Sequence, residues 1–159
     1  MRWVFSTRGR RPVKDISGLL TIGFSDLLHR RMFGDVWTWA GTRRRRITNI
    51  GVDPAEINVC IKLLFDDARY WHDNSVFPLH EIAVRIHHRL VCVHPYVNGN
   101  GRQTRMMADL YVHLCQAPAL TWGGQAILTD AGVARTRYIE SLRAATAGDI
   151  SDLLSFATA

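Results

Sequence analysis

The chain has 159 residues, of which 47% are hydrophobic and 21% charged, a composition typical of one globular domain and unlike that of disordered or collagen-like chains. Its net charge is +6, but residues 1–46 carry +8 and the remainder carries −2. This uneven distribution argues against a protein that binds nucleic acid over its whole surface.

Eighteen of the 20 basic residues are arginines. Codon bias explains this preference as readily as recognition of phosphate or carboxylate groups, which a guanidinium binds through paired hydrogen bonds. The three cysteines, Cys60, Cys92 and Cys115, form no CxxC pair and indicate reduced thiols. Because the sequence shows no signal peptide and no apolar run of about 18 residues, we expect a cytoplasmic protein without a membrane partner.

Residues 1–19 are expected to form a basic N-terminal segment, and residues 20–159 a single domain. The first helix of that domain is predicted to run from a cap at Thr21 to about Met32, before an aromatic turn. Residues 42–52 (TRRRRITNIGV) have the composition of a β-hairpin, in which Gly51 allows the chain to turn.

Helices are predicted for the rest of the chain, which is therefore all-α apart from the hairpin. Asp53 and Pro54 are typical of a helix start, and apolar residues continue at helical spacing to about Trp71. Further helices are predicted over residues 78–93, 102–115 and 130–146, and a short last helix follows Asp149. The residues His94-Pro95 stop the helix over 78–93, because proline disfavours helical geometry in the residue before it.

The segment that carries chemistry is residues 94–105 (HPYVNGNGRQTR), which joins two predicted helices. Gly99-Asn100-Gly101 offers backbone that adopts positive φ, so that successive N–H groups can point into one concavity. This concavity lies at the N-terminus of the following helix, where unpaired amides and the helix dipole favour an anion. Arg102 and Arg105 are three residues apart and share one face, suited to a polyphosphate.

His94 stands at the other edge of this segment. Its ordinary pKa near 6.5 suits a general base at neutral pH. From the residues alone, a site for a phosphorylated ligand beside an imidazole is one interpretation. The other is a tight turn between two helices, with His94 as a helix cap.

The segment closely resembles the signature of the Fic domain family, His-Pro-Phe-x-(Asp/Glu)-Gly-Asn-Gly-Arg-x-x-Arg. The resemblance extends to residues 31–41 (RMFGDVWTWAG) and 85–91 (RIHHRLV) and covers roughly residues 20–157. Within the family, the chain is most similar to the bacterial branch labelled "mobile mystery protein B". The resemblance implies an all-α Fic-type helical bundle with a short β-hairpin flap.

The resemblance also implies an activity: transfer of a nucleoside monophosphate, usually AMP from ATP, to a Ser, Thr or Tyr hydroxyl of a target protein. His94 would take the proton of that hydroxyl. Gly99, Asn100 and Gly101 would bind the α- and β-phosphates, Arg102 would neutralise the β-phosphate, and Arg105 the γ-phosphate. The flap would align the target backbone by strand addition, and its residues are Arg43, Arg44, Arg45, Arg46, Ile47, Thr48, Asn49 and Ile50.

Two positions depart from the signature within the motif. Tyr96 replaces phenylalanine, which is a mild change because the ring still packs and the hydroxyl needs only a partner or solvent. Asn98 replaces the acidic residue that binds Mg²⁺ in the family. An amide oxygen can coordinate Mg²⁺ but brings no negative charge, so Asn98 is a weak metal ligand, and this substitution puts the metal, the rate and the donor in question.

A third departure concerns regulation. Many family members carry an inhibitory helix with the motif Ser/Thr-x-x-x-Glu-Gly/Asn, and none of Glu56, Glu81 and Glu140 fits it. Either a partner protein supplies the inhibitor, or inhibition is absent, or the chain starts too late. Residues 3–6 (WVFS) resemble the end of a helix that begins upstream, so we expect a truncated N-terminus.

The arginines at 43–46 have three interpretations: a solvated face, a flap that contacts an acidic target, or a contact to a phosphate backbone. The sequence favours a Fic-type transferase that uses ATP and, with less support, Mg²⁺. A catalytically weak module that binds nucleotide or a protein partner is the alternative. A nucleic-acid-binding protein that uses the basic N-terminal third is a second alternative, for which no helix-turn-helix or zinc-finger spacing is present.

Overall fold

The computed structural model describes residues 14–124 and 132–159, and they form a helical bundle. The element order confirms the predicted helical class, and within these two ranges no residue is in a β-strand. The helices are α1 (Ile16–Leu19), α2 (Ile22–Phe33), α3 (Ile57–Asp73), α4 (Leu79–Val93), α5 (Asn100–Leu114), α6 (Val133–Thr146) and α7 (Ser151–Thr158), with a 3₁₀ turn (Pro54–Glu56) before α3.

Side-chain caps fix where several of these helices begin. Thr21 Oγ1 accepts the N–H of Phe24 at 3.1 Å, as its position before α2 predicts. Asp53 Oδ1 accepts the N–H of Ala55 at 2.8 Å and opens the 3₁₀ turn that leads into α3. Most of the predicted N-terminal segment, including residues 3–6, lies outside the described residues. The first two residues of the helix predicted over 130–146 also lie outside them. The described end of that segment includes Leu19, which is fully buried in the core.

Helix α4 lies at the centre of the bundle, against α3 and α5 and in contact with α6 and α7. Its side chains are buried on more than one face, including Ile82, Val84, Ile86 and Leu90, each with no exposed surface. A helix that is apolar on several faces requires neighbours on several sides. Helix α5 is one of these neighbours and packs against α4. No helix of the described residues is both long enough and apolar enough to cross a membrane.

The predicted hairpin over residues 42–52 is wrong, because the described chain forms an irregular loop there. Its backbone groups pair with the end of α4 rather than across a hairpin. Arg44 donates its N–H to the carbonyl of Pro95 at 2.9 Å, and Val52 donates to the carbonyl of Val93 at 3.3 Å. The guanidinium of Arg44 donates to the carbonyls of Arg46 and Val52, so these carbonyls are paired with a side chain and not with an opposite strand.

The turn at residues 121–124 attaches the end of α7 to the bundle. Gly123 donates its N–H to the carbonyl of Phe156 at 2.8 Å, and Thr121 donates to that of Ala157 at 2.8 Å. Gly123 and Gly124 both have positive φ, of 80° and 70°. They differ in surroundings, since a Cβ on Gly123 would lie 2.7 Å from the Phe156 ring, whereas one on Gly124 would meet nothing within 4 Å.

These two glycines offer a matched test of packing at the turn. We expect Gly124→Ala to lower the free energy of unfolding by about 1–2 kcal/mol, the cost of a left-handed non-glycine residue. Gly123→Ala should cost about 1–3 kcal/mol more, because the Phe156 ring must also move. Urea unfolding of both variants measures the difference. An equal decrease in the free energy of unfolding in both variants would show that the Phe156 ring moves aside at no energetic cost.

Candidate active site

A cleft of about 840 Å³ opens between the end of α4, the loop that follows it, the first turn of α5 and helix α6. It brings together the residues that the sequence proposed for catalysis and for anion binding: His94, Asn98, Gly99, Asn100, Gly101, Arg102 and Arg105. Sequence reasoning missed the opposite wall, which α6 provides through Arg135, Tyr138, Ile139, Leu142 and Arg143. No local pattern on α6 marks these residues as part of a site.

The turn between α4 and α5 is built around Gly99 and Asn100. Gly99 has a φ of 80°, and a Cβ there would lie 2.7 Å from the ring of Phe33, so both conformation and space require glycine. Asn100 is 2% exposed. Its side-chain amide accepts from the N–H of Tyr96 at 2.9 Å and donates to the carbonyl of Tyr96 at 2.8 Å. The Asn100 side chain therefore holds the loop closed, and the free amides of the α5 N-terminus are what the loop offers to an anion.

The two arginines of the first turn of α5 are held over aromatic rings. The guanidinium of Arg102 lies 4.7 Å from the centroid of Phe33 and 5.8 Å from that of Trp37. The guanidinium of Arg105 lies 5.4 Å from the centroid of Tyr138. Such faces attract cations and limit the rotamers of a long side chain. Both arginines are thus ordered before any ligand arrives.

The charge of Arg105 acts on the carboxyl group of Asp109, but neither arginine forms an ion pair within 4.0 Å in the described part of the chain. Two cations in the first turn of α5 oppose the positive end of the helix dipole. An anion bound at this end removes that conflict. The charge pattern therefore favours a phosphorylated ligand over an empty turn between helices.

His94 ends α4 in the left-handed conformation, with φ 51° and ψ 61°. Its N–H donates to the carbonyl of Leu90 at 3.0 Å. A non-glycine residue in this region costs about 1–3 kcal/mol and is typical of functional sites. Burial lowers the pKa of His94, the charge of Arg44 lowers it further, and the backbone of Val91 opposes both. The imidazole is therefore neutral at pH 7 and can accept a proton.

A polar hydrogen-bond network packs against the loop between α4 and α5. Tyr96 donates its hydroxyl proton to Asp26 Oδ1 at 2.9 Å, with Ser25 Oγ 3.1 Å from the same hydroxyl. Gln103 Nε2 donates to Ser25 Oγ at 3.1 Å. Burial raises the pKa of Asp26, although the bond from Tyr96 and the charge of Arg43 act in the opposite direction. The hydroxyl that distinguishes Tyr96 from the family's phenylalanine thus has two partners.

His29 is a second supporting residue that the sequence did not reveal. It is fully buried, and its ring stacks on that of Tyr96 with centroids 3.9 Å apart. Gly41 donates its N–H to His29 Nδ1 at 2.9 Å, so Nε2 carries the proton and donates to the carbonyl of Asn98 at 2.9 Å. This neutral tautomer joins the backbone of Gly41 to that of Asn98, and burial lowers the pKa of His29.

The residues proposed to dock a target fall into two groups. Arg43 forms an ion pair with Asp26 at 3.1 Å, and Arg44 is buried. The others are exposed on the loop beside the cleft: Arg45, Arg46, Ile47, Thr48, Asn49 and Ile50. Of these, Ile50 also lines the cleft.

Comparison with known proteins agrees with this geometry. The model of the Fic/DOC family matches residues 20–112, and the chain belongs to that family. It is 30% identical over 146 residues to a protein adenylyltransferase Fic of Drosophila virilis, covering 86% of this chain and 28% of that protein. A protein of the same name from Drosophila willistoni is 26% identical over 144 residues. The chain thus spans little more than a quarter of these curated relatives.

Solved structures show the same fold. Residues 134–508 of Fic-1 from Caenorhabditis elegans align with a TM-score of 0.69 and 26% identity, covering 87% of this chain and 39% of that one. A Fic-domain signalling protein from Bacteroides thetaiotaomicron aligns with a TM-score of 0.67 over 91% of this chain and 59% of that one. The latter is 20% identical and supports the fold alone.

The buried hydroxyl of Tyr96 gives a direct test of the network. We expect Tyr96→Phe to lower the free energy of unfolding by about 1.5–3 kcal/mol, because the half-buried carboxylate of Asp26 loses a hydrogen bond. Tyr70→Phe is the matched control, since Tyr70 is 62% exposed, and it should change stability by less than about 0.5 kcal/mol. Urea unfolding compares the two. An equal effect at both positions would contradict the network.

Proposed function

We propose that the chain transfers AMP from ATP to a Ser, Thr or Tyr hydroxyl of a target protein. The observation that carries the proposal is the placement of a neutral imidazole, His94, in one cleft with Arg102 and Arg105 at the N-terminus of α5. The names of the relatives from Drosophila point to the same reaction.

In the proposed reaction, His94 accepts the proton of the target hydroxyl while its oxygen attacks the α-phosphorus. A new phosphorus–oxygen bond to the target forms, and the bond from the α-phosphorus to the oxygen bridging to the β-phosphate breaks. Pyrophosphate leaves, and its growing charge is stabilised by Arg102, Arg105 and the free amides of α5. Catalysis of this kind rests mainly on positioning and charge stabilisation.

Mg²⁺ fits the residues present poorly. Asn98 is exposed, and its Oδ1 accepts the N–H of the neighbouring Gly99 at 2.7 Å. This single neutral oxygen is the donor that the motif offers, and the described residues hold no group of three His, Cys, Asp or Glu able to bind a metal. Mg²⁺ commonly binds through one or two carboxylates besides phosphates. The proposed steps therefore use the arginines and the helix end for phosphate charge.

The surface beside the cleft suits an acidic target segment with apolar side chains. Ile47 and Ile50 are 78% and 53% exposed, and Val97, which lines the same cleft as Ile50, is 62% exposed. Arg45 and Arg46 add positive charge on the same loop. We further propose that an inhibitory partner regulates the site, since the glutamates of this chain do not fit the inhibitory motif.

A second candidate function is a module that binds nucleotide without transfer, which the loss of the acidic group at Asn98 favours. Labelled ATP and a cell lysate separate the two. We expect label on a protein band with the wild type, none with His94→Ala, and unchanged labelling with His113→Ala, which removes an exposed histidine of α5. Stabilisation by ATP in a thermal-shift assay, without any labelled band, would establish the module instead.

The pH dependence of transfer follows from the lowered pKa of His94. Because the folded pKa lies below the ordinary 6.5, more than half of the imidazole is deprotonated at pH 6.5. We expect the midpoint of the acid decline in kcat/KM to lie below 6.5, as His94 takes up a proton. A pH profile of label transfer from ATP to a protein that the wild type labels tests this prediction. A midpoint above pH 6.5 would contradict a base whose pKa is lowered by burial.

The position of Asn98 predicts how a carboxylate would change metal use. Asn98→Asp supplies a charged oxygen at the loop, so we expect tighter Mg²⁺ binding in the presence of ATP, by about tenfold or more. Asn74→Asp, an exposed substitution on the α3 C-cap, adds the same charge elsewhere. Calorimetric titration of Mg²⁺ into the nucleotide complex measures both variants. An unchanged affinity in Asn98→Asp would exclude a metal role for this position.

A further inference from the structure

Arg44 is the most deeply buried arginine of the described chain, at 4% exposure. Its Nε donates to the carbonyl of His94 at 2.7 Å, and its Nη2 to the carbonyl of Val93 at 3.3 Å. Nη1 donates to the carbonyl of Arg46 at 3.0 Å, and Nη2 also donates to that of Val52. One side chain thus joins the irregular loop to the C-terminus of α4.

We propose that Arg44 is a positioning residue for His94, holding the last carbonyls of α4 so that the imidazole stays in the cleft in its left-handed conformation. The inference rests on the proposed function in so far as His94 is the base. It assigns to Arg44 a role separate from target docking, which its neighbours Arg45 and Arg46 remain free to serve.

The contact acts on the backbone of His94 itself. The final carbonyls of a helix lack intrahelical partners, and a cation there also complements the helix dipole. Arg44 supplies both the hydrogen-bond donors and the positive charge from outside the helix, because its planar guanidinium donates in several fixed directions. An αL residue such as His94 persists only where its surroundings hold it, and the bond from Arg44 Nε to its carbonyl supplies such a restraint.

Gly51 shows how closely these groups approach. It has a φ of 107°, and a Cβ there would lie 2.5 Å from Arg44 Nη2 and 2.7 Å from His94 Cβ. No larger residue fits between the guanidinium and the base without displacing one of them. Glycine at position 51 predicted a hairpin turn. The structure requires glycine there for a different reason, because the loop passes close to Arg44 and His94.

Arg44 also places a fixed positive charge beside the imidazole. The other titratable side chains of the described lining include no carboxylate; they are His88, Cys92, Arg102, Arg105, Arg135, Tyr138 and Arg143. No carboxylate of this lining opposes the Arg44 charge, so its removal should raise the pKa of His94, while burial, the larger cause, continues to lower it.

Two substitutions separate the geometric and electrostatic effects of Arg44. Arg44→Lys keeps the charge but cannot donate to all four carbonyls, so we expect kcat to fall about 100-fold with little change in KM for ATP. The pKa of His94 should stay low in this variant. Arg44→Gln removes the charge as well, and the pKa of His94 should then rise towards its ordinary value.

The His94 pKa is measured by NMR titration of the imidazole signals, and kcat by transfer of label from ATP. Arg31→Lys and Arg31→Gln are matched controls at an exposed position of α2, and both should leave kcat and the His94 titration unchanged. A folded Arg44→Lys variant with wild-type kcat would overturn the proposal. An Arg44→Gln variant whose His94 titrates like the wild type would overturn its electrostatic part.

Gly51→Ala provides a second route if the Arg44 variants do not fold. Its added Cβ forces Arg44 and His94 apart, since it would lie 2.5 Å from Arg44 Nη2 and 2.7 Å from His94 Cβ. No charge changes, so kcat should fall as in Arg44→Lys, and wild-type kcat would again overturn the proposal. If the wild-type chain transfers no label, the proposed function fails. The NMR titration in Arg44→Gln still decides whether the charge of Arg44 acts on His94, because that measurement needs no activity.

Discussion

The reversal of the chain between α4 and α5 determines both the fold and the site. It requires positive φ at two residues, His94 at 51° and Gly99 at 80°. The first ends α4 with an imidazole, and the second begins α5 with free amides. Because both changes of direction occur within six residues, the end of one helix and the start of the next face the same cleft.

The cost of this reversal is met by hydrogen bonds from neighbouring side chains. A left-handed His94 costs about 1–3 kcal/mol, whereas a typical buried hydrogen bond contributes about 0.5–1.5 kcal/mol. Arg44 donates to the His94 carbonyl, and Asn100 makes two bonds to the backbone of Tyr96. These bonds are sufficient in magnitude to hold the turn in one conformation before a ligand binds. A preorganised turn is what electrostatic stabilisation of a transition state requires.

The sequence predicted the parts of the molecule that depend on local chemistry. The caps at Thr21 and Asp53 and the stop at Pro95 act within a few residues, and the structure has them as expected. The hairpin was wrong because residues 42–52 are held by contacts of Arg44 to residues about 50 positions away. Tyr138 and His29 were missed for the same reason: each reaches the site from a distant helix, and a lone aromatic or histidine carries no local signal.

The charges that line the cleft determine how favourable the binding of a metal ion is. Four guanidiniums and no carboxylate line the part of it that the structure describes. Two like charges about 6 Å apart repel by roughly 3 kcal/mol at an effective dielectric constant near 20, so a free divalent cation is disfavoured beside these arginines. A polyphosphate reverses that balance, because its negative charge attracts the arginines and the metal alike. Asn98 is neutral and does not offset this repulsion, so the described lining offers a metal ion no charged oxygen of its own.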